Sequence, residues 1–338
     1  MNDLLHGGTR GIGAVVAAVS LIAGAVPLAR AEEREPLKRV ATIQLKGASG
    51  PLDHLLVDAA RARLFVANQS NDTLDIVDLK TNKLVKQIPG QKEIHGIAYA
   101  PKLDRIFVGN GGGTCNAFDG RDYTLLKSIP IKDADNVHFD PRTNHVFVAA
   151  EKDMAVIDAE SLKLVTTIKT PAPPEGFQIA TEKPRLYLNV GPKFEVVVID
   201  TDKNEVAARH PLKAAKGIET LALDEANKRI FVGFRGEPRI VVLDQESGKE
   251  LTSLEIPEGI DDMFFDAKVK RIYASCGSGF VAVVRQKDAD HYELVTKMAT
   301  IRGAKTCCYD AATARLYLAV PRQEGKEGPE IWVYEARQ

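Results

Sequence analysis

Arg63-Leu64-Phe65-Val66-Ala67-Asn68 is a short apolar run that begins at a basic residue and ends at an asparagine. The run Arg105-Ile106-Phe107-Val108-Gly109-Asn110 repeats this pattern 42 residues later. A small or acidic residue stands five positions before each basic one, at Asp58 and at Ala100. Short runs rich in β-branched and aromatic residues, bounded by turn residues, predict β-strands. The sequence therefore contains two copies of a β unit whose starts are 42 residues apart.

The same pattern occurs seven times, and the offset of five is constant while the units start 40 to 44 residues apart. The starts and their basic partners are Asp58 and Arg63, Ala100 and Arg105, Asp140 and His145, Ala180 and Arg185, Asp224 and Arg229, Asp266 and Arg271, and Asp310 and Arg315. Each unit holds four short β-runs separated by polar turns, without a helical period. Seven units of four strands predict an all-β fold, the seven-bladed β-propeller.

The two ends of the repeat region complete each other. The last unit has three strand signals, of which Ile331–Tyr334 is the third, and the sequence ends at Gln338. The segment Arg39–Leu45 matches the missing fourth strand. We therefore predict one propeller domain over residues 37–338, closed by an N-terminal strand in the last blade. A closed ring leaves few free strand edges, and we expect a monomer.

The first residues have a different character. An apolar run over Gly11–Leu28 follows Arg10 and precedes the small-residue pattern Ala29-Arg30-Ala31. This order predicts a cleaved signal peptide over residues 1–31, followed by a short tail over 32–36, and hence a periplasmic or secreted protein. The alternative is that the run is a membrane anchor. No other segment is long and apolar enough to span a membrane, so we expect no membrane span after cleavage.

The composition limits the classes of partner. The chain has 338 residues, of which 44% are hydrophobic and 27% charged, and its formal net charge is -1. A nearly neutral chain without a basic groove is not expected to bind nucleic acid. The four cysteines are too few for a disulfide-dense scaffold.

The repeats carry a family resemblance. The runs that end in Asn68 and Asn110, each followed by a strand that ends in an aspartate such as Asp78 or Asp119, are typical of YVTN repeats. The mature chain resembles the secreted bacterial YVTN-repeat (YncE-like) seven-bladed propellers over its whole length. The later blades depart from the motif, since Val190, Phe234 and Cys276 replace the final asparagine. The resemblance implies the fold but no single activity, because such relatives include binding proteins and enzymes of lactonase-like, lyase-like and oxidase-like types.

The innermost strands of a propeller line its central channel, so the residue that precedes each of them lies at the channel mouth. The residue five positions before each unit start is ionisable in all seven units: Asp53, His95, Asp135, Glu175, Glu219, Asp261 and Lys305. One interpretation is a solvated channel wall. The other is an acidic ring that binds a cation, either a metal or an amine, because crowded carboxylates favour a cation between them. The expected ligand is a small molecule or a protein. We also expect Asp261 to hold Lys305.

Three histidines on the first three inner strands, His54, His95 and His138, suit a divalent metal together with nearby carboxylates. No organic cofactor is indicated. The function predicted first is a secreted binding or scaffold propeller with a ligand site at the mouth of an acidic channel. The alternative is a metal-dependent enzyme that uses the same histidines and carboxylates. We expect His210, beside an outer strand, to be exposed to solvent.

The four cysteines allow three arrangements. Cys276 is placed to meet Cys307 or Cys308 across a blade interface, and an oxidising compartment favours such bonds. A strained bond between Cys307 and Cys308 is the second arrangement. The third is apolar packing of free thiols, including that of Cys115.

Overall fold

The structure, a computed structural model, describes residues 35–213 and 216–337. In these ranges the chain forms 28 β-strands that pair into seven antiparallel sheets of four strands each. The all-β, seven-bladed propeller predicted from the repeats is confirmed. No helix of these residues has the length and apolar character needed to cross a membrane. The signal peptide predicted at residues 1–31 lies outside the described residues.

The first three blades follow one another along the chain, each running from its inner to its outer strand. Blade 1 comprises β2 (Leu55–Asp58), β3 (Arg63–Asn68), β4 (Thr73–Asp78) and β5 (Lys83–Ile88). Blade 2 comprises β6 (Ile94–Ala100), β7 (Arg105–Asn110), β8 (Thr114–Asp119) and β9 (Leu125–Pro130). Blade 3 comprises β10 (Val137–Asp140), β11 (His145–Ala149), β12 (Asp153–Asp158) and β13 (Lys163–Lys169).

Blades 4 to 6 repeat this order, and blade 7 takes its outer strand from the N-terminal side of the chain. Blade 4 comprises β14 (Phe177–Ile179), β15 (Arg185–Val190), β16 (Glu195–Asp200) and β17 (Glu205–Pro211). Blade 5 comprises β18 (Ile218–Asp224), β19 (Arg229–Phe234), β20 (Arg239–Asp244) and β21 (Glu250–Glu255). Blade 6 comprises β22 (Ile260–Asp266), β23 (Arg271–Cys276), β24 (Phe280–Gln286) and β25 (Tyr292–Ala299). Blade 7 comprises β26 (Cys307–Asp310), β27 (Arg315–Val320), β28 (Glu330–Ala336) and β1 (Leu37–Gln44). Two short 3-10 turns, Gln69–Asn71 and Gly191–Lys193, complete the structure.

The constant offset of five residues comes from one turn between the first and second strands of each blade. In blade 1 the turn ends at Ala62, whose φ of 51° lies in the left-handed region. The basic residue that follows, Arg63, returns to the acid at the start of the turn, and its Nη2 lies 2.8 Å from Asp58 Oδ2. Positions equivalent to Ala62 also have positive φ in blades 2, 3, 5, 6 and 7. A left-handed residue reverses the chain in few residues and sets the spacing in these six blades. Blade 4 keeps the same offset with Pro184 at this position.

The aromatic residue of each repeated run packs between blades. Phe65 of blade 1 is completely buried and lies in one cluster with Ile97 and Ile106 of blade 2. Phe107, Phe147 and Phe231 are buried in the same way at later interfaces. Each interface is therefore closed by the motif that identifies the repeat.

The N-terminal strand closes the ring as predicted. Strand β1 pairs antiparallel with β28, from Leu37 opposite Ala336 to Gln44 opposite Glu330. The side chain of Ile43 is buried in a cluster with Leu55 and Leu64 of blade 1. The closing strand therefore contributes both hydrogen bonds within blade 7 and apolar contacts to blade 1.

One prediction about an outer strand is wrong. His210 on β17 is 7% exposed rather than solvated. The turn of the neighbouring blade covers it, because a Cβ added at Gly248 would lie 2.2 Å from His210 Cγ. Burial away from water lowers the pKa of His210. An outer strand is thus exposed only where the turn of the next blade does not cover it.

Candidate functional site

The channel mouth is a cavity of about 560 Å³ bordered by residues of all seven blades. Neighbouring inner strands contact one another around the whole ring, so the residues that precede them converge. The predicted residues that line the cavity are Asp53, His54, His95, Asp135, His138, Glu175, Glu219, Asp261 and Lys305. The column of ionisable positions therefore lies on one concave surface.

Two glycines bring these residues close together. The backbone N–H of Gly96 in blade 2 donates to Asp135 O in blade 3 over 3.1 Å, and Gly176 donates equally to Glu219 O in blade 5. A Cβ on Gly96 would lie 2.4 Å from Asp135 O, and one on Gly176 would lie 2.6 Å from Glu219 O. Only glycine permits this approach, so each glycine fixes the spacing of two ionisable neighbours.

One side of the mouth is a histidine–aspartate network. His95 Nδ1 lies 2.6 Å from Asp53 Oδ2 and 3.9 Å from Asp135 Oδ1. His54 Nε2 lies 3.7 Å from the other oxygen of Asp53. Asp53 is thus held between two imidazoles from blades 1 and 2.

His54 also reaches across blade 7. Its Nδ1 lies 3.3 Å from Asp262 Oδ1 of blade 6. The other carboxylate oxygen of Asp262 accepts a 2.9 Å hydrogen bond from the backbone N–H of Cys307 in blade 7. Through Asp262, three blades are joined at one point of the channel.

These contacts set the protonation states of the network. Burial opposes a charge on His54, but Asp262 and Asp53 outweigh it and raise the pKa of His54 to about 10. Burial likewise opposes a charge on His95, whose pKa is raised by the hydrogen bond to Asp53 and the charge of Asp135. Burial favours protonation of Asp53, yet the two histidines hold its pKa below the usual value. At neutral pH His54 is therefore an imidazolium that compensates the aspartates.

A second network occupies blades 5 to 7. The guanidinium of Arg235 contacts Asp261, and its Nη2 lies 2.7 Å from Glu219 Oε1. Lys305 Nζ lies 2.9 Å from the second oxygen of Asp261, which confirms the predicted pairing of Lys305. Asp261 therefore contacts two cations, and this network of two carboxylates and two cations is balanced in charge.

Glu175 differs from the other ring carboxylates. Among the described residues it has no ion pair and no side-chain hydrogen bond, and it faces the like-charged Glu219 and Asp135. Burial and these two neighbours raise the pKa of Glu175 to about 7, although the charge of Arg235 opposes the shift. Burial also raises the pKa of Glu219, although Arg235 opposes the shift. We call Asp135, Glu175 and Glu219, on blades 3 to 5, the acidic wall.

The three predicted metal ligands do not form a ligand set. His54 and His95 contact the carboxylates described above, while the His138 ring packs against Phe177 with centroids 4.4 Å apart. Burial and the charge of His54 lower the pKa of His138 to about 4. In residues 35–213 and 216–337 no group of three or more histidine, cysteine or carboxylate side chains is arranged to hold a metal ion. The divalent metal stays a prediction.

The sequence prediction missed two residues of the site. Arg235 follows the second strand of blade 5, at the hairpin loop, where neither the spacing nor the ionisable column marks it. Asp262 stands directly after Asp261, and this pair of adjacent acidic residues is the sequence signal that could have identified it.

The cysteines are free and buried, which corresponds to the third of the arrangements considered above. Cys276 packs in a cluster of blades 5 and 6, whereas Cys307 and Cys308 lie in two other clusters on either face of blade 7. Burial raises the pKa of each thiol. Their role in the described structure is apolar packing.

Comparison with known proteins supports the family resemblance. The chain is 26% identical over 196 residues to the uncharacterized protein YncE of Salmonella typhimurium and equally to YncE of Salmonella typhi. The match covers 56% of this chain and 54% of either relative, so the chain spans about half the length of the curated relatives it matches. No protein-family model matches the chain. Together with the seven-bladed fold, this similarity supports a YncE-like propeller family.

Solved structures share the fold at low sequence identity. A chain of hydrazine synthase from Kuenenia stuttgartiensis superposes with a TM-score of 0.72 and 18% identity, covering 81% of this chain and 94% of that one. The WD40 repeats of RRP9 superpose with a TM-score of 0.74 and 10% identity, covering 89% of this chain and all of that one. At such identities the likeness establishes the fold alone.

Proposed function

We propose that this protein is a binding propeller of the periplasm or the cell exterior that holds a small organic cation in its channel mouth. The fold and the YncE-like relatives support a propeller scaffold or binding protein. The positive group of the ligand lies against the acidic wall.

The observation that carries this proposal is the unpaired state of Glu175. The other buried carboxylates of the mouth have cationic partners: Asp53 and Asp262 have histidines, and Asp261 has Arg235 and Lys305. Glu175 instead faces two further carboxylates. A cation placed there would offset the burial and the repulsion that together raise the Glu175 pKa. Its attraction to the carboxylate is stronger in a partly buried site than in bulk water.

The size and donor geometry favour an organic cation over a bare metal ion. A cavity of about 560 Å³ lies within the range that small-molecule sites occupy. The described residues contain no ligand cluster for a metal, whereas an ammonium needs only hydrogen-bond acceptors around it. Apolar residues along the channel, such as the partly exposed Phe139, can contact the hydrocarbon part of such a ligand.

Calorimetric titration of the intact protein with n-pentylamine and with 1-pentanol, at pH 8, tests the proposal. The two compounds have the same chain length and differ in charge. Because a hydrogen bond to a charged group contributes about 1.5 to 3 kcal/mol, we expect the amine to bind at least about tenfold more tightly. Equal affinity for the two compounds, or binding of neither, would contradict a cation site.

A further inference from the structure

A second cavity opens on the same face of the propeller, beside the channel mouth. It measures about 430 Å³, and its lining includes Arg235, Glu258, Gly259, Gly277, Ser278 and Arg302. We call this cavity the rim pocket. Its residues belong to hairpin loops and links of blades 5 and 6, and to the link that enters blade 7.

Backbone hydrogen bonds hold the rim pocket in shape. Gly277 N–H donates to Gly259 O over 2.7 Å, and Gly303 N–H donates to Gly277 O over 2.8 Å. Gly279 has a φ of +100°, and a Cβ there would lie 3.2 Å from the backbone nitrogen of Arg302. Glycine is therefore required where the hairpin of blade 6 meets the link that carries Arg302. The hydrogen bond from Gly303, the residue after Arg302, ties this link to the hairpin of blade 6.

Arg302 has no acidic partner within the described ranges, 35–213 and 216–337. The other arginine of the pocket, Arg235, is already paired with Glu219 and Asp261. The rim pocket thus holds one guanidinium that makes no ion pair, although the carboxylate of Glu258 also lines the pocket. Guanidinium groups bind carboxylate and phosphate with two parallel hydrogen bonds, which makes an anion the natural occupant.

A second observation in the rim pocket is the hydroxyl of Ser278. Its Oγ is buried and, among the described residues, has no hydrogen-bond partner. Buried polar atoms are nearly always paired in folded proteins, and a change of the Ser278 rotamer would turn this covered oxygen into the rim pocket. A hydroxyl can donate to an anion bound beside Arg302.

Arg235 connects this pocket with the channel site, because it lines both cavities. We propose that the ligand is bipolar: its cationic group binds the acidic wall, and an anionic group, a carboxylate or a phosphate, binds Arg302 and Ser278 in the rim pocket. This inference rests on the proposed function. Glu258 opposes it, because this exposed carboxylate lines the same pocket and repels an anion.

The test uses three matched series of compounds with two to six methylenes: ω-amino carboxylates, ω-aminoalkyl phosphates and the parent alkylamines. Each is titrated calorimetrically into the intact protein at pH 8. At one chain length or more, we expect the bipolar compound to bind about tenfold more tightly than its parent amine, as for one charge-assisted hydrogen bond. The series that shows this increase in affinity over the parent amines, whether the carboxylates, the phosphates or both, identifies the anionic group.

Three variants test which residues cause this increase in affinity. Arg302→Gln should abolish it while leaving the affinity for the parent amine unchanged, and Glu258→Gln should increase it. Arg322→Gln is the control, because Arg322 lies in a hairpin loop of blade 7, donates to Lys326 O and lines neither cavity. Thermal melting checks that each variant folds.

The outcomes separate the two claims. If the amines bind but no bipolar compound binds more tightly than its parent amine, the bipolar ligand is wrong and the cation site stands. The same holds if the increase in affinity survives in Arg302→Gln. If no amine binds, the cation site fails and the bipolar ligand fails with it. An increase in Glu258→Gln supports the rim pocket even if Arg302→Gln does not fold, and an unchanged gain in Glu258→Gln then contradicts it.

Discussion

His54 Nδ1 lies 3.3 Å from Asp262 Oδ1, although the two residues belong to blades 1 and 6, which are not neighbours in the ring. The pair passes in front of blade 7, whose Cys307 N–H donates to the same carboxylate. Blade 7 is the blade closed by the N-terminal strand. The contact therefore joins the two blades that flank the closure.

Replacing His54 by Gln should destabilise the fold by about 2 kcal/mol, since breaking a partly buried pair leaves Asp262 without its cation. The pKa of His54 is raised to about 10, so its contribution is complete below its ordinary value of 6.5 and is lost as the pH rises through 10. Urea unfolding of both proteins at pH 6 and pH 10.5 measures the difference. His291→Gln, on an exposed pair with Asp288, is the control. A difference that does not shrink at pH 10.5 would contradict this account.

Glu175→Gln should stabilise the protein at high pH. Because the folded-state pKa is raised to about 7, the carboxylate costs stability above that pH, and the cost disappears as the pH falls toward the ordinary value of 4.5. We expect a gain of about 1 to 2 kcal/mol at pH 8, after allowing for partial exposure, and little gain at pH 4.5. The measurement is urea unfolding at both values. Glu182→Gln, at an exposed position, should leave the stability unchanged at both pH values. A loss of stability in Glu175→Gln at pH 8 would refute the prediction.

The closing strand offers a matched pair of substitutions. Ile43→Ala removes a fully buried side chain and should cost about 3 kcal/mol. Val40→Ala, in the same strand, removes a side chain that is 43% exposed, and its cost should stay below about 0.5 kcal/mol. Chemical denaturation of both variants tests whether the strand closes the ring through its buried face. Similar costs for the two would count against this closure.

Asp53→Asn should lower the pKa of His95, because the 2.6 Å contact with Asp53 is one of the interactions that raise it. An NMR titration of the histidine ring protons measures the shift. Asp153→Asn, which removes the outer partner of Lys169, should leave that titration unchanged. An unaltered His95 titration in Asp53→Asn would show that the observed contact does not set the protonation of the ring.

Sequence reasoning was most successful where one residue recurs at a fixed offset. The turn that ends at Ala62 repeats around the ring, so the strands, the closing segment and the column from Asp53 to Lys305 followed from spacing. It was less successful for contacts between repeats. Arg235 reaches Asp261 of the next blade from a loop, and Gly248 covers His210. Such contacts depend on side-chain direction and on the neighbouring blade, which a periodic pattern does not contain.

The most direct test of the central claim is the affinity of n-pentylamine for the intact protein and for Glu175→Gln at pH 8, measured by calorimetry. Glu182→Gln is the matched control, because it removes an exposed carboxylate that does not line the cavity. We expect Glu175→Gln to bind at least about tenfold more weakly, while Glu182→Gln binds like the unaltered protein. An unchanged affinity in folded Glu175→Gln would contradict the proposal that the acidic wall holds a cation.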